Sequence, residues 1–338
     1  MSSEITSLIT FVESYLIWLS SMSGKLATLI LFIAFVVLSA LELNYPKRRL
    51  SMHQSRQSYQ TNVSLFVFNS LIVSLLSATP LLMIANHYSD SGLLSYVSNP
   101  VWKALLSFVL LDLTLYWWHK ASHSFDCLWM FHKVHHNDPY LNVSTAFRIH
   151  TVELVILTLV KLAYVIILGV TQTMVLINEA LLTLFIMFHH TNISLRGENR
   201  LAQVIIVPYL HRAHHSTERK EHDNNYGAVF SIWDRLFGTL AELEPKEIGI
   251  KNSSPQTLLG LIRFGFTPDI PAPAYELDLR VKSMIAEAAY YKAEKRAFKP
   301  GHELPDWLEA KREILRMIYG DKSNEQSNHS SMQRSTPC

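Results

Sequence analysis

The stretch Asp112–His136 reads DLTLYWWHKASHSFDCLWMFHKVHH. Its five histidines stand in two boxes: His119 and His123 four apart, then His132, His135 and His136 at i, i+3 and i+4. The triplet spacing returns at His211, His214 and His215. Residues three or four apart share a helix face, so each box is expected to aim its imidazoles at one locus. These eight imidazoles exceed the roughly four ligands that a tetrahedral zinc accepts. They suit two metals of the imidazole-binding kind, with positions left open. One histidine pair at i, i+4 is usually a solvated face; three boxes, each close to an apolar segment, do not fit that reading.

The chain around the boxes has 338 residues, of which 49% are hydrophobic and 17% charged. That length allows one large domain or two small ones. The apolar residues come in blocks, the pattern of a membrane protein. A net charge of +2 implies no nucleic-acid partner.

Residues 5–20 are apolar but short and carry Glu13, which predicts an interfacial or partly inserted N-terminal helix. Leu26–Leu43 is long enough to cross a bilayer, with Glu42 at its end. It stops at Pro46-Lys47-Arg48-Arg49, a basic cluster that marks the cytoplasmic side. A second apolar run follows at Val63–Ile84, broken by Pro80, then a polar loop at 86–100. Val101–Trp118 returns through the membrane and delivers His119. Val152–Val170 and Thr173–Phe188 form a further hairpin that brings His189 and His190 back to the same side. Counted from the basic cluster, every box lands in the cytoplasm. Prolines at 268, 271 and 273 suggest an extended linker, Leu277–Arg296 and Pro305–Tyr319 two amphipathic surface helices, and the polar tail from Asp321 onward disorder.

With Asn225-Tyr226-Gly227 and Trp233-Asp234-Arg235-Leu236-Phe237-Gly238-Thr239 after the last box, residues 55–240 resemble the fatty acid hydroxylase / sterol desaturase superfamily. The resemblance implies an integral-membrane, non-haem di-iron oxygenase holding two Fe per chain. Beyond the boxes, His190 in His190-Thr191-Asn192 matches a further family histidine, with His189 as its competitor. His150 falls in the family's Arg-x-His-Pro-x-Glu pattern at Arg148–Glu153, where Thr151 replaces the proline; it is as much a supporting group as a ligand. Asn225 and Asp234 match the family string and are expected to support ligand imidazoles.

Asp112, seven residues before His119 inside an apolar helix, is expected to orient a ligand imidazole, an intramembrane acid being costly; pairing with Arg148 or a backbone group is the alternative. Trp233 and Phe237 are expected to pack the cap. His222 reads as a solvated loop histidine, and His53, His87, His302 and His329 have no partner at ligand spacing. No G-x-G-x-x-G unit for a nicotinamide or flavin and no H-E-x-x-H is present.

The expected fold is all-α: a multi-pass bundle of a first span plus about four spanning helices in two hairpins, under a cytoplasmic histidine-rich di-metal cap. The expected divisions are 1–60 (interfacial helix, first span and basic segment), 61–240 (catalytic domain), 241–320 (soluble cytoplasmic extension) and 321–338 (disordered tail). The resemblance implies O2-dependent hydroxylation or desaturation of a lipid entering from the bilayer. Electrons would come from a separate carrier, cytochrome b5-like or ferredoxin-type. A metal-binding or transport protein without catalysis, or a zinc hydrolase using part of the histidine set, are the competing readings.

Overall fold

The computed structural model describes residues 22–76, 78–89, 91–251, 254–267 and 272–319. The helix expected at 5–20 and the tail from Asp321 lie outside the described residues. The chain divides into two compact units, Met1–Thr267 and Pro268–Cys338. Among the described residues the only β pairing is two isolated bridges, Ile205–Phe230 and Ser216–Ile248.

In the first unit the long elements are α1 (Met22–Asn44), α2 (Met52–Leu76), α3 (Ala78–Tyr88), α4 (Pro100–Ser124), α5 (Asp126–His136), α6 (Thr151–Leu168) and α7 (Gln172–His190). Among the described residues four helices are long and apolar enough to cross a membrane: Gly24–Asn44 of α1, then α4, α6 and α7. Phe32, Ile33, Val36 and Val37 of α1 stand exposed, an apolar face that water would not tolerate and lipid would cover.

The second apolar run, expected as a fifth span, is divided between α2 and α3. Pro80 lies in the first turn of α3, where a missing N–H is tolerated, and cannot continue a helix from before it. The inward face of α2 is polar instead. Ser58 and Asn62 donate to Asp138 at 2.7 and 2.9 Å, and Asn69 donates to the Ile149 carbonyl at 2.7 Å.

The helix ends follow from their residues. Asn99 caps α4 by accepting from Val101 N at 2.9 Å, with Pro100 at the first helical position. Gly169 closes α6 at φ +68°, a left-handed cap that favours glycine. It lies so close to Gly92 that a Cβ on Gly92 would stand 2.0 Å from Gly169 N. The apolar core between the spans holds Leu111 and Leu115 of α4, Tyr164, Val165 and Leu168 of α6, and Val175 and Leu182 of α7.

At the histidine end the packing is polar. Arg148 is fully buried and donates to the carbonyls of Val134 and Asn137, to Asn62 Oδ1 and to Gln256 Oε1. Burial would raise Asp138, but Arg148 and the donors from Asn62, Thr145 and Ser58 hold its carboxyl below the usual range. Because Gln256 reaches Arg148 and Leu261 packs with Leu65 and Val134, residues 241–267, expected to open the soluble extension, belong to the first unit.

The second unit is a helical hairpin of Ala272–Lys295 and Glu303–Tyr319. It closes over Val281, Ile285 and Ala310, with Lys292 paired to Glu313 at 2.8 Å.

Candidate metal centre

Four elements of the first unit converge at one end of the spans. α4 carries His119 and His123, and α5 carries His132, His135 and His136. His190 ends α7. His211 and His214 lie on a short helix, Pro208–His214, which His215 caps. Their nitrogens form two groups, each drawn within 4.8 Å: His119, His123, His132, His136 and His214 in one, His135, His190, His211 and His215 in the other. The groups adjoin; the rings of His136 and His215 stack at 4.5 Å. All nine histidines expected as ligands are thus brought together, and among the described residues no further one enters either group.

The boxes do not each serve one locus, as their spacing suggested. His132 and His136 join the first group while His135 joins the second; His211 and His215 join the second while His214 joins the first. Helical geometry accounts for this. Neighbours on a helix are about 100° apart and i, i+4 only about 40°. In each H-x2-HH box the outer pair therefore shares a site, and the middle histidine turns to the adjoining one.

In six of the nine histidines Nδ1 is held by an acceptor, whereas Nδ1 of His136, His211 and His215 is buried without one among the described residues. Nδ1 of His119 donates to the Tyr226 carbonyl at 2.9 Å, that of His132 to Glu153 Oε1 at 2.6 Å and that of His123 to Asp223 Oδ1 at 3.1 Å. Nδ1 of His214 donates to the Asn224 carbonyl at 2.7 Å, that of His135 to the Arg148 carbonyl at 3.2 Å and that of His190 to the Ile186 carbonyl at 2.7 Å. A carbonyl or carboxylate can only accept, so these six imidazoles carry their proton on Nδ1 and a bare lone pair on Nε2.

Two such lone pairs, on His135 and His190, face each other at 3.1 Å. Nε2 of His119, His132 and His214 has no partner although buried. Opposed and orphaned lone pairs are unfavourable; a cation among them removes the conflict, and the residues therefore fit a metal in each group. Burial holds His132 down to about 3 and His135 to about 4, so both are neutral and able to ligate. His136, His211, His214 and His215 are likewise held well below their ordinary value, first by burial and then by neighbouring imidazoles.

A family profile described as fatty acid hydroxylase matches residues 104–239, which contain all of these histidines. Residues 104–239 are therefore similar to a fatty acid hydroxylase domain. Alkylglycerol monooxygenase of Danio rerio is 31% identical over 150 residues, 44% of this chain and 33% of that protein. The human alkylglycerol monooxygenase is 29% identical over 150 residues, with the same two shares, 44% and 33%. An ornithine lipid hydroxylase of Rhizobium tropici is 32% identical over 141 residues, 40% of this chain and 41% of that protein. The matches thus span well under half the length of these relatives. A second profile, a protein family of unknown function (DUF2934), matches residues 282–316 in the C-terminal hairpin. No solved structure matches the chain.

Within this region the residues expected to support the histidines are placed differently from the sequence reading. Asp112 touches no imidazole. Its carboxylate accepts from Val229 N at 2.8 Å, Phe230 N at 3.0 Å and Trp233 Nε1 at 2.8 Å, and so pins the loop after the third box to α4. Of the two alternatives, the backbone group is the one Asp112 meets, and Arg148 is engaged elsewhere.

Asp234 accepts from Tyr226 N at 2.8 Å and Gly227 N at 2.9 Å; it fixes the turn whose Tyr226 carbonyl holds His119. Asn225, at φ +55°, bonds the Leu210 and Ala241 carbonyls at 2.9 and 2.8 Å. Trp233 serves Asp112 with its indole N–H, and Phe237 stacks on Tyr116 at 5.2 Å. His150 joins neither group: it caps α6 through Val152 N at 3.2 Å and reaches the Ile262 carbonyl at 3.1 Å. His222, read as solvated, is buried with its ring stacked on Trp129 at 5.2 Å.

The groups that do hold ligand rings, Glu153 and Asp223, were not assigned from sequence. Glu153 had a signal: an acid in the first turn of an otherwise apolar helix. Asp223 had none, being one acid in a charged loop.

The Asp112 contacts set an expected result. Asp112→Asn offers one acceptor where three N–H groups converge and turns an amide N–H toward donors. We expect a loss of about 2–4 kcal/mol, seen as a lower Tm with a parallel fall in metal content. An unchanged Tm with lost activity would return Asp112 to the chemistry.

Proposed function

We infer that this protein is a membrane-embedded, non-haem di-iron lipid hydroxylase. The observation that carries the reading is the pair of adjoining histidine groups, with bare Nε2 lone pairs, at the end of apolar spanning helices. Five imidazoles would hold one iron and four the other; when bound, the irons supply the O2-activating redox chemistry that side chains lack. The protein's own part is positional. Acceptors on Nδ1 orient six of the nine rings, burial excludes water, and an all-neutral ligand set leaves the centre cationic.

The substrate class is a membrane lipid reached from the bilayer, in keeping with relatives named for alkylglycerol and for ornithine lipid. Hydroxylation, the reaction in those names, is preferred to desaturation. The basic cluster Lys47-Arg48-Arg49 supports a cytoplasmic histidine end, where a separate one-electron carrier, cytochrome b5-like or ferredoxin-type, would dock. A transporter would need ligands along the spans, whereas the nine histidines gather at one end.

Lipid profiling of cells with and without the gene, joined to O2 uptake by the iron-loaded protein given the responding lipid and a reductant, tests the reading. The expected result is one lipid class heavier by one oxygen, with matching O2 consumption. An iron-loaded, reduced protein that consumes no O2 with any lipid of its host membrane overturns it.

A further inference from the structure

Where α1 ends, a cavity of about 360 Å³ opens, lined by Arg48, Arg49 and Ser55 with Leu43 and Leu50 among its apolar residues. That size lies within the range of small-ligand sites. We propose that it binds the anionic head group, phosphate or carboxylate, of a membrane lipid.

Three observations converge. First, among the described residues the two guanidiniums have no hydrogen-bond or ion-pair partner. Lys47 of the same cluster pairs with Glu244 at 3.5 Å, but among the described residues no ion pair joins Arg48 or Arg49. Two such forks match the oxygens of phosphate or carboxylate.

Second, the segment is built rather than loose. Asn192 clamps Arg48 on both sides, accepting from its N at 3.0 Å and donating to its carbonyl at 2.7 Å, and the Lys47 N–H donates to the Asn192 carbonyl at 2.8 Å. Asn192 is in turn held by buried Glu42, whose Oε2 accepts from Asn192 N at 3.1 Å and Val143 N at 3.0 Å. Tyr59 donates to the other Glu42 oxygen. The acid is therefore consumed by backbone and phenol donors, which leaves the arginines to set the sign of the cavity.

Third, the depth is right. The cluster begins three residues past Asn44, the end of a spanning helix, where head groups lie. The mouth is flanked by Leu43, 61% exposed, a surface for the adjoining acyl chains. Water-borne phosphate would gain nothing from that apolar rim, which favours the lipid as the source. The site is separate from the histidine groups and does not depend on what they hold.

The test is lipid retention by the full-length protein in mixed micelles of dioleoylphosphatidylglycerol and dioleoylphosphatidylcholine, read by native mass spectrometry. The wild type is expected to keep one phosphatidylglycerol, preferred over phosphatidylcholine by roughly tenfold or more. Arg48→Gln with Arg49→Gln brings the ratio near parity. Arg196→Gln with Arg200→Gln, which removes equal charge outside the cavity, leaves it unchanged. Ser55→Leu narrows the cavity without altering charge and also lowers retention, which keeps the test valid should the arginine pair fail to fold. Wild type without preference overturns the proposal. So does an equal loss in the Arg196 and Arg200 variant, which would indicate a diffuse surface field. Displacement of the lipid by millimolar inorganic phosphate would show a free-anion site and also overturns it.

Discussion

Removing His190 and His211 together, as His190→Ala with His211→Ala, lowers bound metal from about two ions per chain to about one. Both residues belong to the second histidine group alone, and their loss leaves that group only His135 and His215. The first group keeps its five imidazoles and the acceptors on Nδ1 of His119, His123, His132 and His214. The mirror variant, His119→Ala with His132→Ala and His214→Ala, leaves the first group only His123 and His136 and spares the second. Elemental analysis of monodisperse protein, normalised to chain, reads both. Oxygenated lipid falls to background in either variant, because the proposed chemistry needs both ions. The two-site reading fails if either folded variant keeps both ions, or if each loses both, which would indicate one cooperative centre.

Glu153→Gln is expected to weaken the first site by about 10- to 100-fold in metal affinity or in turnover. The Glu153 carboxylate accepts from His132 Nδ1 at 2.6 Å with both side chains buried, so solvent screens the contact little. Glutamine keeps the shape and one acceptor but removes the charge. Glu153→Ala does more, since it also leaves a buried N–H without a partner. Asp223→Asn, at the comparable contact to His123, has the smaller effect: the Asp223 side chain is 32% exposed and water can replace part of its role. Metal titration into chelated protein orders the three variants. An Asp223→Asn defect as large as that of Glu153→Gln would refute burial as the source of the difference.

The supporting residues show where a linear reading runs out. Asp112 and Glu153 are both acids in apolar helices, and by sequence Asp112 has the stronger claim, two turns from His119 on the same helix. Yet two turns are about 10 Å along the axis, and what fills the space beside Asp112 is the Val229–Trp233 segment, more than a hundred residues away in the chain. Glu153 is 21 residues from His132 and meets it only because α6 enters beside α5. Asp234 and Asn225, expected to support ligand imidazoles, act through backbone, one step removed from the rings.

The histidine spacing and the apolar blocks determined by themselves that this is a helical membrane protein with imidazoles gathered at ligand spacing. Both signals are local, set by the helical repeat and by the thickness of a bilayer. Tertiary structure alone decided that each triplet box is shared between two groups, that carbonyls of Tyr226, Asn224, Arg148 and Ile186 fix the tautomers, and that Ser58, Asn62 and Asn69 of α2 meet Asp138 and the Ile149 carbonyl. Those outcomes rest on contacts between segments distant in sequence. Periodicity states which face a side chain occupies, but not which segment will be packed against it.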